Sequence, residues 1–94
     1  MSNSPESTVL FQRACEQKSV AGCAHLAEIY AQGIGVVRDL ERAAELHSIA
    51  CSGNISHSCH SLGKMYRRGQ GVEIDKRKAR ELAERAAALG EGQS

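Results

Sequence analysis

Aromatic side chains are scarce in this sequence. Phe11, Tyr30 and Tyr66 are the whole complement of a 94-residue chain, and tryptophan is missing. Sandwiches and barrels fill their pleated cores with aromatic and β-branched residues, so an all-β fold is disfavoured. Proline occurs once, at Pro5, which leaves helices uninterrupted, and alanine is abundant. No apolar run approaches the ~18 residues of a membrane span. Met1 to Leu10 lack a basic start and an apolar stretch, so they do not read as a secretory signal. The sequence reads equally as a mature or trimmed form behind an added Met. Net charge is nearly absent, at +1, which argues against wholesale nucleic-acid binding. The length allows one domain with a thin core, of the kind that needs an extra staple.

Charge of each sign is present but unevenly spread. Residues 1–54 hold four Lys/Arg against six Asp/Glu, and residues 55–94 hold eight against five. The second half is therefore basic. This points to a basic binding face there, or to contact between the ends of two copies.

What dominates the sequence is a repeat. Shifting the chain by 36 residues pairs Leu10 with Leu46, Ala14 with Ala50, Cys15 with Cys51 and Cys23 with Cys59. The same shift pairs Leu26 with Leu62, Tyr30 with Tyr66, Asp39 with Asp75 and Ala43 with Ala79. Gly33, Gly35 and Val36 return as Gly69, Gly71 and Val72. A unit of this length is one supersecondary motif that cannot close a core alone. The glycines mark helix-ending loops, and Asp39 and Asp75 stand where an N-cap belongs. Gly53 and Asn54 end another helix, and Ser56 is placed to cap the next. Pro5 after Ser4 suits a first helical turn. Helices are predicted over 5–17, 20–32, 39–52, 56–68 and 75–89, with 90–94 frayed. The expected organisation is a single all-α repeat domain: a half unit over 5–19 and full units over 20–55 and 56–90. The recurring apolar positions predict a core of Leu10, Ala14, Leu26, Tyr30, Ala43, Leu46, Ala50, Leu62, Tyr66, Ala79, Leu82 and Ala86.

The string Leu-x-x-x-Tyr-x-x-Gly-x-Gly-Val-x-x-Asp-x-x-x-Ala, at 26–43 and 62–79, resembles the Sel1-like repeat family, a relative of the tetratricopeptide repeat. Ala27 stands where that family favours Gly, whereas Gly63 fits. Ala-Cys-x7-Cys at 14–23 and 50–59 is similar to the cysteine-bearing subtype found in the Helicobacter cysteine-rich proteins. The resemblance implies an α/α solenoid of antiparallel helices, disulfides between neighbouring helices, and binding or scaffolding more than chemistry.

The cysteines also carry a reading of their own. Each pair flanks a tight helix-turn-helix, which brings the two Cα atoms within the roughly 5–6 Å that a disulfide needs. Cys15–Cys23 and Cys51–Cys59 are the expected bridges. If they form, the compartment is oxidising: periplasm, extracellular space or intermembrane space. Otherwise these are small buried thiols of a cytoplasmic protein. His57, Cys59 and His60 crowd one turn, but no Cys-x2-Cys or His-x3-His pair accompanies them, so no metal and no cofactor is expected.

Two functional readings follow, beside a purely structural one in which the outer helices, 5–17 and 75–89, stack on further repeats or on another copy and no ligand is bound. The first is an interaction module that holds a protein or peptide segment on one face. On a helical wheel of 56–68, His57, His60, Lys64, Arg67 and Arg68 form one basic stripe, opposite Cys59, Leu62 and Tyr66. In tetratricopeptide-like solenoids this first helix of each unit lines the concave groove. The resemblance therefore puts the stripe on the binding surface, beside Glu28 and Gln32 of the preceding unit. An acidic segment would suit it, and nucleic acid would not, because no aromatic lies nearby for stacking. The run 76–80 reads as a solvated face, and the outer helices could mediate self-association. The second reading is enzymatic. Ser61-Leu62-Gly63-Lys64 is a Ser-x-x-Lys string, and penicillin binding and hydrolysis are attributed to the cysteine-rich relatives. The Ser-Asp-Asn and Lys-Thr-Gly companions are missing, so no catalytic residue is assigned.

Overall fold

A computed structural model of the chain describes residues 5–93, with side chains over 8–90. Five helices follow one another: α1 (Pro5–Glu16), α2 (Val20–Gln32), α3 (Leu40–Ser52), α4 (Ser56–Arg68) and α5 (Lys76–Gln93). Each packs on the next along the chain, as in a helical solenoid. Pro5 opens α1 as expected of a residue with no amide hydrogen to leave unpaired. Ser4 lies outside the described residues. The last helix runs past Gly90 to Gln93, where fraying had been expected.

Two kinds of turn alternate. The α2–α3 and α4–α5 turns are the glycine loops. Gly33 and Gly69 cap the preceding helices in the left-handed conformation, with φ of 71° and 70°. Glycine adopts that conformation without a Cβ penalty. The amides of Asp39 and Asp75 donate back to the carbonyls of Tyr30 and Tyr66, each at 2.9 Å. Their carboxylates then accept from the backbone N–H of Arg42 and Lys78, each at 3.0 Å, which starts the next helix. One aspartate thus closes the loop and caps the helix.

The α1–α2 and α3–α4 turns are tighter. The left-handed residues are Lys18 and Asn54, with φ of 70° and 71°. Gly53 has an ordinary negative φ of −87°. Its requirement is space, since a Cβ there would strike the side chain of Val20. Ser56 is not the cap of α4. Ile55 occupies that position without a side-chain bond. Ser56 is already helical, and its hydroxyl donates to the Ala86 carbonyl at 2.8 Å, which ties α4 to α5.

The core is built from small side chains in three clusters. Cys23, Leu26, Ala27, Leu46 and Ala50 fill the space between α2 and α3. Ala43, Ala44, Leu62 and Met65 join α3 to α4. Cys51, Cys59 and Ala86 join α3, α4 and α5. Of the expected core, Leu26, Ala43, Leu46, Ala50, Leu62, Ala79 and Ala86 are buried. Ala14, Tyr30, Tyr66 and Leu82 are half-buried. Leu10 departs from the expectation, at 66% exposed. Its counterpart Leu46 is buried against α2 residues. Among the described residues no helix precedes α1 to cover Leu10 in the same way.

Both bridges are formed. Cys15–Cys23 and Cys51–Cys59 have Cα separations of 4.5 and 4.6 Å, within the range that disulfides span. Each closes a short loop, worth on the order of 2.5 kcal/mol in the chain-entropy account. That is a large share of the stability of a small domain with an alanine-rich core. Disulfides of this kind belong to an oxidising compartment.

Two polar residues sit deep in this core, Ser58 of α4 and His47 of α3. His47 of α3 is 2% exposed, and its Nδ1 has no hydrogen-bond partner. Burial holds its pKa below the ordinary value of 6.5, against the pull of the Glu28 carboxylate and with a further push from His57. The imidazole is therefore neutral in the folded chain at neutral pH.

Two outcomes are expected. Reduction of both bridges should lower the urea-unfolding free energy by on the order of 2.5 kcal/mol for each. Alkylation after brief exposure to reductant, read by mass spectrometry, should find Cys15 modified ahead of Cys51 and Cys59. Cys15 is half-buried, whereas Cys51 and Cys59 are 4% and 0% exposed. His47 sets the second outcome. The unfolded chain binds its proton more readily than the folded one, so stability falls as pH drops through about 6.5. Unfolding at about pH 7.5 and about pH 5.5 should show that loss, and His47→Leu should reduce the difference.

Candidate partner-binding faces

The expected binding residues are carried by α2 and α4, and the structure divides them into two neighbouring places. The first is where α2 and α4 approach across α3. His57 Nε2 lies 2.6 Å from Glu28 Oε1. The other Glu28 oxygen accepts from the Gln32 amide at 3.1 Å. Burial by itself would raise the Glu28 pKa. The His57 hydrogen bond, the charges of His57 and His47 and the Gln32 bond together outweigh it, so the carboxyl sits below its ordinary value. Glu28, Gln32 and His57 are thus brought together, and the acid is already engaged.

Beside this pair is a cavity of about 170 Å³ between α2, α3 and α4. Arg38, Lys64 and Arg68 line it, together with Glu28, His47 and Ser61. Arg38 is anchored by its Nε, which donates to the Ala31 carbonyl at 3.1 Å. The remaining guanidinium donors of Arg38 are left for other acceptors.

The second place is a larger groove of about 590 Å³ between α4 and α5. His60, Lys64 and Arg67 face it from α4, and Lys76 and Arg80 face it from α5. Gly63, Ala79 and Ala83 form the small-residue floor, and no carboxylate lines it. Gly63 lets α5 approach closely, since a Cβ there would stand 3.1 Å from the Ala79 carbonyl oxygen.

The basic stripe of α4 is spread over several neighbouring cavities. His57 bonds to Glu28 and shares a cavity with His60 beside Ala83 and Ala86 of α5, Arg68 lines the smaller cavity, and His60 and Arg67 line the larger groove. Lys64 borders both the smaller cavity and the larger groove. The run 76–80, expected to be a solvated face, is also divided. Arg77 lies 3.7 Å from Glu81, and Lys78 stands over the Tyr66 ring at 4.9 Å. Lys76 and Arg80, one turn apart, enter the groove. Arg38 and His47 were likewise not among the expected site residues. Lys76 and Arg80 were open to detection, because the 36-residue shift aligns them with Leu40 and Ala44. A change from apolar to cationic at a packing position is a signal in its own right.

The enzymatic motif gains little here. Ser61 and Lys64 share the rim of the smaller cavity, but among the described residues no hydrogen bond joins them. Cys59 is committed to its bridge, so the turn from His57 to His60 offers no thiolate for a metal. No described helix is long and apolar enough to cross a membrane.

Comparison with known proteins agrees with this architecture. The family model described as Sel1 repeat matches residues 4–19, 20–55 and 56–91. A search of curated proteins finds no match. Among solved structures, Helicobacter pylori cysteine-rich protein B is similar at 35% identity and a TM-score of 0.84, over 88% of this chain and 62% of that one. A protective antigen of uropathogenic Escherichia coli, described as displaying an SLR fold, is similar at 28% identity and 0.85, over 88% and 18%. A Sel1 repeat protein from Oxalobacter formigenes is similar at 25% identity and 0.85, over 88% and 63%. The chain spans less than two thirds of the length of each of these three. With the repeat matched over nearly its full length, the chain belongs to the Sel1 repeat family, whose members are in general protein–protein interaction modules.

Proposed function

We propose that the chain is a binding or scaffold module that holds an acidic protein segment on the face shared by α2 and α4. The observation that carries this reading is the charge imbalance around the smaller cavity. Arg38, Lys64 and Arg68 border it, and the one carboxylate there, Glu28, is already bonded to His57 and Gln32. Cations left without a local acid are free to pair with carboxylates of a partner. Arginine adds bidentate geometry, so an Asp or Glu side chain or a chain terminus is recognised by shape as well as charge. An extended segment laid across α2 and α4 would meet small residues, Ala24 and Ala31, on one side and cations on the other. The disulfides support a periplasmic or secreted setting for this encounter.

Peptide display against the full disulfide-bonded chain tests the reading. Selected peptides should be rich in Asp and Glu, and their affinity should fall with added salt. The double variant Arg38→Gln/Arg68→Glu should weaken them by about tenfold or more while the helical signal and melting temperature hold. Neutral or basic winners, or affinity unchanged in a folded double variant, would move the binding site elsewhere.

A further inference from the structure

Among the described residues no helix covers the groove between α4 and α5, and its chemistry differs from that of the covered seat inside the solenoid. Inside the solenoid, the equivalent surface belongs to α2 and α3, and α4 covers it. There, Ala31 and Leu40 pack with Ala43 and Ala44 against Leu62 and Met65 of α4. Glu28 of the same surface meets His57 of α4. Advancing this surface by 36 residues lands on the lining of the 590 Å³ groove. Ala31 becomes Arg67, Leu40 becomes Lys76 and Ala44 becomes Arg80. Glu28 becomes Lys64, so the one charged contact of the internal seat has its sign inverted. The floor remains small, with Gly63 and Ala79 in place of Ala27 and Ala43.

We propose that this groove is a docking site for an acidic α-helix of a partner protein, seated across α4 and α5 as α4 is seated across α2 and α3. The internal layer states what such a helix must carry. Position i, occupied by His57 in the internal layer, would face Lys64 and must be acidic. Positions i+5 and i+8, occupied by Leu62 and Met65, would face Arg67, Lys76 and Arg80 and must be acidic as well. These three positions lie within an arc of about 140° on a helix, so one face presents all the carboxylates. The small floor lets the backbone come close, and the seat has the dimensions of a helix because a helix fills its counterpart. A second copy of this chain does not supply the pattern. None of α1 to α5 has acidic residues at i, i+5 and i+8.

This site is distinct from the face shared by α2 and α4, and Lys64 is the one cation the two have in common. The test therefore avoids Lys64. Two capped helical peptides of identical composition serve as probes, measured against the full disulfide-bonded chain by fluorescence anisotropy. One carries Glu at i, i+5 and i+8, and the other carries the same three Glu on the opposite face. The patterned peptide should bind about tenfold more tightly than its isomer, and less tightly at physiological than at low salt. Lys76→Glu/Arg80→Glu should remove about tenfold or more of that affinity, whereas Arg38→Gln/Arg68→Glu should change it by less than about twofold. If the charge reversal perturbs the helical signal, Lys76→Gln/Arg80→Gln takes its place, and the same direction is required. Equal binding of the two peptides would overturn the proposal. So would affinity that survives the α5 substitutions, or affinity lost on the Arg38/Arg68 side. A concentration-dependent dimer abolished by the α5 substitutions would overturn it too, because the occupant would then be another copy.

Discussion

A pair of antiparallel helices leaves one broad surface that must be covered, and the structure follows from how each such surface is met. The α2–α3 surface is covered by α4, which places Leu62 and Met65 over Ala43 and Ala44. The repeating small residues are what allow this. Alanine and glycine on the covered surface let the next helix lie close, and close approach excludes water along its length. The cost is that each small side chain removes little apolar area from water, at about 25 cal/mol per Å². A core made largely of alanine and cysteine is thin, and it needs support that burial does not supply.

That support is divided between two kinds of joint. Within a unit, α2 is joined to α3 and α4 to α5 by the glycine loop and the aspartate that closes it. Between units, α1 is joined to α2 and α3 to α4 by a disulfide. The covalent joints therefore sit where one unit hands over to the next. The non-covalent joints sit inside the unit, where the helix pair has its own packing. Because the Cys51–Cys59 bridge is also part of an apolar cluster with Ala86, it fixes the level at which α5 meets α3 and α4. His47 and the Glu28–His57 pair lie near the same α2, α3 and α4 junction. A buried neutral imidazole beside an engaged carboxylate is a polar element that tolerates one charge state, which couples the interior of the solenoid to pH.

Much of this was legible in the sequence because a repeat reports local structure twice. Asp39 and Asp75 announced two helix starts, paired glycines announced two loops, and the cysteine spacing announced two bridges. Features that depend on a neighbour were not legible from the period alone. Leu10 and Leu46 are the same residue at the same phase, yet one is exposed and the other buried, because burial belongs to the covering helix and not to the leucine. Ser56 looked like a cap, but its hydroxyl reaches Ala86 thirty residues away. Gly53 read as a helix-ending residue, but what requires glycine there is the side chain of Val20. The basic stripe of α4 read as one surface on a helical wheel. A wheel carries no information about α5, whose Lys76 and Arg80 share a groove with His60 and Arg67 that Arg68 does not line.

The two ends of the described solenoid are therefore chemically unlike. At α1, Val9 and Leu10 are 49% and 66% exposed, so that end presents apolar side chains of the kind the internal seat buries. At α5, the corresponding interior positions have become cations. Stacking one copy on another would cover Lys76 and Arg80, which desolvates charge. The helix order opposes it as well. A unit begins with a helix like α2 and ends with one like α3, whereas α5 followed by α1 would set two second helices together. Charge at one end and helix order at the other thus disfavour indefinite extension by self-stacking. They leave the basic seat available to a helix of different composition, and the apolar α1 face to a different kind of contact.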